Sequence, residues 1–209
     1  MNEILDFHTH CPVATSALIS VDPREFDPRL GLCYSVGFHP WHGIDRLTDE
    51  DYELLDRCAR HPQVLAIGET GMDHLRGAPL DCQREAFVRH LRLASLLGKP
   101  VVVHCVRAAQ DILSARHQAA LDSVPLVIHG MRSGERVARV LLDAGCYLSF
   151  GEHFNEAAVR LTPLDRILLE TDESPVDINS IAAAVAHALD LPPEQLVAQV
   201  TANARKLLY

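Results

Sequence analysis

The sequence predicts an α/β fold: a compact (β/α)8 TIM-like barrel with its early helices reduced, forming one domain over residues 1–209. Three observations carry that prediction. Eight short apolar runs recur along the chain, and most are continuous Val/Ile/Leu stretches, the pattern of strands buried on both faces. The later runs alternate with helical periodicity, which implies parallel strands joined by right-handed crossovers. The length of 209 residues suits one domain and lies at the lower end of the barrel range. An open doubly wound sheet is the alternative, but neither GxGxxG nor GxxxxGK[ST] follows any strand.

The expected strands, in order, are Ile4–His8, Ala17–Val21, Cys33–Phe38, Val64–Glu69, Val101–His104, Leu126–His129, Cys146–Phe150 and Ile167–Thr171. The first two connections, Thr9–Ser16 and Asp22–Leu32, are short and hold Pro12, Pro23 and Pro28, so full helices are not expected there. Thr48–Arg60 places Tyr52, Leu55 and Ala59 at helical spacing, with Thr48 as N-cap and Asp51 in the capping-box position. Leu80–Leu97 repeats Phe87, Leu91, Ala94 and Leu97, then stops at Gly98 before Pro100. Further helices are expected at Ala108–Ala119, Gly134–Ala144, Asn155–Leu161, Asn179–Leu189 and Pro193–Leu208.

Composition narrows the function. No apolar run approaches the ~18–20 residues that span a bilayer, and no basic segment followed by an apolar stretch opens the chain. A net charge of −9 argues against a non-enzymatic DNA-binding module. It leaves a polynucleotide substrate open, because divalent ions reverse the charge at a site. The six cysteines form no CxxC pair, which excludes a zinc ribbon and leads us to expect reduced thiols and a cytoplasmic location. No obligate protein partner is visible.

Metal-type residues stand where the runs end. His8 and His10 form an HxH pair, and Glu69 lies in IGETGMD, His104 in VVVHC, His129 in LVIHG and Asp172 in ILLETDESP. In a β/α barrel these ends share the face where active sites are built. Alternate strand residues point the same way, so both His8 and His10 reach one ion. Burying four imidazoles and two carboxylates together is costly without a counter-charge, and a cation removes that cost. Six ligands exceed one tetrahedral zinc, whereas two ions about 3.5–4 Å apart use them by sharing a carboxylate. Glu69 lies midway around the barrel and is the bridge, since neither lysine, Lys99 nor Lys206, ends a strand. The expected cofactor is therefore two divalent ions, Zn, Mg or Mn, with Asp172 and Glu69 as catalytic groups. His39 in GFHPWH, Asp73, Arg107 and Arg132 are the expected substrate contacts. Trp41 reads as packing on the rim, with base stacking as the other reading, and His90 falls on a helical segment with no assigned role.

These motifs resemble the TatD family of metal-dependent hydrolases, along nearly the whole chain. DFHTHC is similar to its opening HxH motif, GFHP to GxHP, IGETGMD to GExGLD and ETDESP to ETDxP. QREAFVRHLRLASLLGKPVVVH and VIHG resemble the segments that deliver its single histidines, and TANARKLLY its C-terminal helix. The resemblance implies a two-metal hydrolase, usually described as a DNase. One ion would be held by His8, His10, Glu69 and Asp172, the other by Glu69, His104 and His129. The chain departs from the family in being short, in CVRA after His104, which displaces Arg107 by one position, and in GMRSG after His129. The expected activity is that of a phosphodiesterase or deoxyribonuclease of the 3′-end exonuclease type, using a two-metal-activated hydroxide on DNA ends, single strands or a small phosphoester. The alternatives are an amidohydrolase or esterase at the same site, and a catalytically silent metal-binding protein.

Overall fold

The computed structural model describes residues 3–209; residues 1 and 2 of the expected domain lie outside them. Eight parallel strands close a barrel in sequence order: β1 Asp6–Thr9, β2 Ala17–Val21, β3 Cys33–Val36, β4 Val64–Asp73, β5 Val101–Val106, β6 Leu126–Ile128, β7 Tyr147–Phe150 and β8 Ile167–Leu169. Pairing of Asp6 with Leu169, extended by a bridge from Thr9 to Asp172, shuts the cylinder. The strands are buried at odd and even positions alike, as in β3 and β7. Inward side chains fill the lumen while outward ones meet helices, each buried Leu, Ile, Val or Phe contributing about 1.5–3 kcal/mol.

The helices are α1 Asp49–Ala59, α2 Leu80–Leu97, α3 Ala109–Gln118, α4 Glu135–Asp143, α5 Glu156–Leu161, α6 Ile178–Ala188 and α7 Pro193–Leu208. Among the described residues no helix joins β1 to β2, and a single 3-10 turn at Pro23–Glu25 follows β2, so the early helices are indeed reduced. The capping box of α1 is complete, with Thr48 Oγ1 accepting from the Asp51 amide and Asp51 Oδ2 from the Thr48 amide. Asn203 on α7 donates to the Leu164 and Ile167 carbonyls, pinning the last helix to the start of β8.

Several strand ends differ from the sequence expectation, and two of the differences bear on the site. β8 stops at Leu169 because the Thr171 amide is taken by Asp6 Oδ1 at 3.0 Å. β4 continues past Glu69 to Asp73, and its register with β5 slips between Ile67 and Thr70. Gly68 permits that bulge. Its φ is 115°, and a Cβ there would stand 2.3 Å from the Val102 carbonyl oxygen.

Candidate metal centre and active site

Each candidate ligand lies in the C-terminal half of a strand or just beyond it. His8 lies within β1 and His10 just beyond it; Glu69 sits at the β4 bulge; His104 is on β5; His129 and Asp172 follow β6 and β8. Asp172 adopts φ 55°, a left-handed conformation rarely taken outside glycine. Its amide donates to the His8 carbonyl at 2.9 Å and its carbonyl accepts from the His10 amide at 3.2 Å, so β1 holds it in place.

Glu69 is the hub. Its Oε2 stands 3.3 Å from His8 Nε2 and 3.5 Å from His10 Nε2. Its Oε1 stands 2.7 Å from His129 Nε2, 2.9 Å from His104 Nδ1 and 3.0 Å from His39 Nε2. Asp172 Oδ1 completes the His8 side, at 3.7 Å from His8 Nε2 and 3.6 Å from His10 Nε2. Burial opposes ionisation of Glu69, yet the charge of His129 and hydrogen bonds from His10, His104 and His129 hold its carboxyl well below the usual range. Burial likewise disfavours protonation of His129, but Glu69 and Glu170 carry it well above the ordinary histidine value.

The residues fit a metal. His8 is fully buried, and neither of its ring nitrogens has a hydrogen-bond partner. An unpartnered buried polar atom is costly, and a cation on Nε2 removes that cost. Donors that share one ion at ~2.0–2.2 Å sit roughly 3 Å from each other. The spacings of 2.7 to 3.5 Å around Glu69 are of that kind. His8, His10 and Asp172, His8, Glu69 and His129, and His39, Glu69 and His104 each form a group able to hold an ion.

The ring orientations follow from the surroundings. Asp73 is buried, and its Oδ2 lies 3.2 Å from His104 Nε2 and accepts from Trp41 Nε1 at 2.8 Å, while Oδ1 accepts from the Leu75 amide. With an ion on the Glu69 side, a carboxylate facing Nε2 would hold the proton there and leave the His104 Nδ1 lone pair for the ion. Burial disfavours the Asp73 carboxylate, but the Leu75 amide, Trp41 and His104 keep its pKa below the ordinary value. Glu170 stands behind His129 as a nearby charge rather than a hydrogen-bond partner: its Oε1 is 3.6 Å from Nδ1 and accepts from the Gly130 amide. The Trp41 amide donates to His39 Nδ1 at 3.2 Å, so His39 carries its proton on Nε2 and presents it to Glu69.

A cavity of about 620 Å³ opens over this cluster, lined by His10, His39, Glu69, His104, His129 and Asp172 together with Trp41, His42 and Arg24. Of the expected substrate contacts, His39 lines it. Asp73 sits behind His104 instead, and Arg107 lies exposed off the cavity. Arg132 lines a neighbouring cavity of about 290 Å³ that borders Asp172. Sequence reading missed Arg24 and Glu170. Arg24 stands three residues beyond β2, at the active face of the barrel, and that position was its only signal. Glu170 reads as part of a buried strand and carried none.

The closed parallel barrel, with its cluster of histidines and carboxylates at the strand ends, defines a class: the metal-dependent barrel hydrolases. The family model described as "TatD related DNase" matches residues 26–209, and the chain belongs to that family. The "Uncharacterized metal-dependent hydrolase TatD" of Mycobacterium tuberculosis is 34% identical over 82% of this chain and 74% of its own length. The "3'-5' ssDNA/RNA exonuclease TatD" of Cronobacter turicensis is 37% identical over 70% of this chain and 59% of its own. The crystal structure of YJJV, a TatD homologue from Escherichia coli K12, superposes with a TM-score of 0.85 at 18% identity, covering 99% of this chain and 98% of that one.

Proposed function

We propose that the chain is a phosphodiesterase of the 3′-end exonuclease type, acting on free ends of single-stranded DNA with two divalent ions, Zn, Mg or Mn. The division of Glu69 carries this reading: one carboxylate oxygen faces His8 and His10, the other His104 and His129. His8, His10, Glu69 and Asp172 hold one ion, and Glu69, His104 and His129 hold the other. Bound ions of this kind lower the pKa of a water and neutralise charge on a phosphoryl oxygen. Asp172, partly open to the cavity, accepts the proton of the attacking water. His39, with its proton on Nε2, orients a phosphoryl oxygen beside Glu69. Arg132 serves a phosphate further along the strand, and Arg107 meets only substrate that extends beyond the cavity. The relative named as a 3'-5' ssDNA/RNA exonuclease supports this substrate class. The six cysteines, none of them in a CxxC pair, support a reducing, cytoplasmic location. No helix of the described chain is long and apolar enough to cross a membrane.

Net charge −9 leaves no broad basic surface, so binding engages only ~2–3 phosphates, with a salt slope of ~0.7 for each in a single strand. Cleavage of linear single strands against closed circles, with added Mn²⁺, Mg²⁺ or Zn²⁺, tests the proposal. Linear strands are cut and circles spared, with a shallow salt dependence. Efficient cutting of circles overturns end recognition.

One observation favours a second reading, hydrolysis of an ester or amide in a small molecule. Beside the ligands, the cavity is lined by Asp22, Glu25 and Glu173, while Arg24, its single Arg or Lys, is engaged by Asp51 at 3.0 Å. That lining repels a polyanion. Turnover on lactones or N-acyl amino acids, with none on DNA or bis-p-nitrophenyl phosphate, would establish it.

A further inference from the structure

Trp41 is the only tryptophan, and it is 39% exposed on the wall of the catalytic cavity. Its ring is not free to turn. The indole Nε1 donates to Asp73 Oδ2 at 2.8 Å, and the ring meets the His39 and His104 rings edge-on at 4.7 and 5.1 Å. The guanidinium of Arg76 lies over the indole, 4.6 Å from its centroid. Arg76 is exposed and has no carboxylate partner among the described residues.

The pairing of these two side chains is built into the backbone. The Pro40 carbonyl packs so closely on Gly77 that a Cβ there would lie 2.3 Å from its oxygen, and Gly77 has φ 90°. Gln83 of α2 donates to the Arg76 and Ala78 carbonyls and accepts from the Asp73 amide, which holds the loop carrying Arg76 in shape where Gly77 meets the Pro40 carbonyl of the Trp41 loop.

An immobilised indole loses little entropy on stacking. A flat cation resting on it marks a face that a planar group can occupy, and the cation lacks an anion of its own. Aromatic side chains interleaved with cations are how single strands are held without base-pair readout. Resting on the nuclease reading above, we infer that Trp41 and Arg76 form a nucleobase subsite for the nucleotide whose phosphate enters the metal centre. The base takes the place of the guanidinium on the indole, and Arg76 turns to the adjacent phosphate. Recognition is of a planar ring rather than of a particular base.

The test compares oligonucleotides with intact and abasic 3′-terminal nucleotides, using the metal-loaded protein. In the wild type the abasic end raises KM about 5–150-fold, the range expected of one stacked base. Trp41→Leu collapses that ratio toward one. Arg76→Ala keeps the base preference but lowers the salt slope by about 0.7, one phosphate in a single strand. Fluorescence of the single tryptophan gives a second readout that leaves the subsite unaltered: in Asp172→Asn, intact oligonucleotide quenches it and abasic oligonucleotide does not. Equal KM for both ends in a wild type that cuts both overturns the subsite alone, as does a base preference that survives in Trp41→Leu. A wild type that neither binds nor cuts any oligonucleotide overturns the nuclease reading, and the subsite with it.

Discussion

Asp172 and Asp73 are both carboxylates near histidines, but the structure gives them opposite surroundings. Asp172 is partly open to the cavity, with Oδ1 near His8 and His10. Asp73 is buried behind His104 and bonded to Trp41 and the Leu75 amide. Under the proposed mechanism Asp172→Asn keeps one ligand oxygen and removes the proton acceptor, so turnover is expected to fall by about 10²–10⁴-fold while at least one ion stays bound. Wild-type turnover in this variant rules out Asp172 as the acceptor. Asp73→Asn loosens the orientation of His104 rather than the chemistry itself. Metal affinity, read by titration calorimetry, drops about 10–100-fold. An unchanged affinity would show that His104 is oriented without Asp73.

At the scale of the element, β4 places Glu69 through a bulge that only glycine at position 68 tolerates. Gly68→Ala forces a side chain at φ 115° against the Val102 carbonyl. Strain alone costs about 1–3 kcal/mol, so denaturant midpoints fall and metal capacity falls with them as Glu69 moves. Helix α2 bears on the same face through His90, whose Nε2 accepts from the Phe38 amide at 3.0 Å while Nδ1–H donates to the Ala86 carbonyl. Burial pushes the His90 pKa down to about 4. The folded state thus resists a proton that the unfolded chain takes up near the ordinary value of 6.5. The stability this group contributes is complete above pH ~6.5 and is lost as pH falls through ~4, an effect on the order of 3 kcal/mol. His90→Gln should flatten that part of the urea-stability profile between pH 7 and 4. An unchanged profile would place the acid sensitivity elsewhere.

The whole molecule ties the site to its stability, because the candidate ligands come from β1, β4, β5, β6 and β8 and the barrel closes between β1 and β8. Ions that bind only the folded chain stabilise it by about 2.7 kcal/mol at 100 times Kd. A domain of this size gains about 2–4 °C in Tm for each kcal/mol, so metal loading raises Tm by roughly 5–11 °C and chelation reverses it. A Tm indifferent to both would mean that no ion bridges these strands.

The residue pattern by itself determined the barrel and the ring of candidate ligands. Continuous apolar runs, proline-rich early connections and the Gly98 stop are local signals, and α2 and α7 span the residues that periodicity assigned to them. The candidate ligands stand in the C-terminal halves of strands or just beyond them, and their shared face follows from the topology alone. Tertiary structure decided what distant segments do to one another. It turned Asp73 onto His104, brought Arg24 from the β2 connection to the cavity, and set Glu170 against His129. It also carried β4 through a bulge to Asp73. These outcomes depend on backbone register and on side-chain contacts between strands far apart in sequence. Periodicity reports which face of an element is buried, and carries no information about which partner waits there.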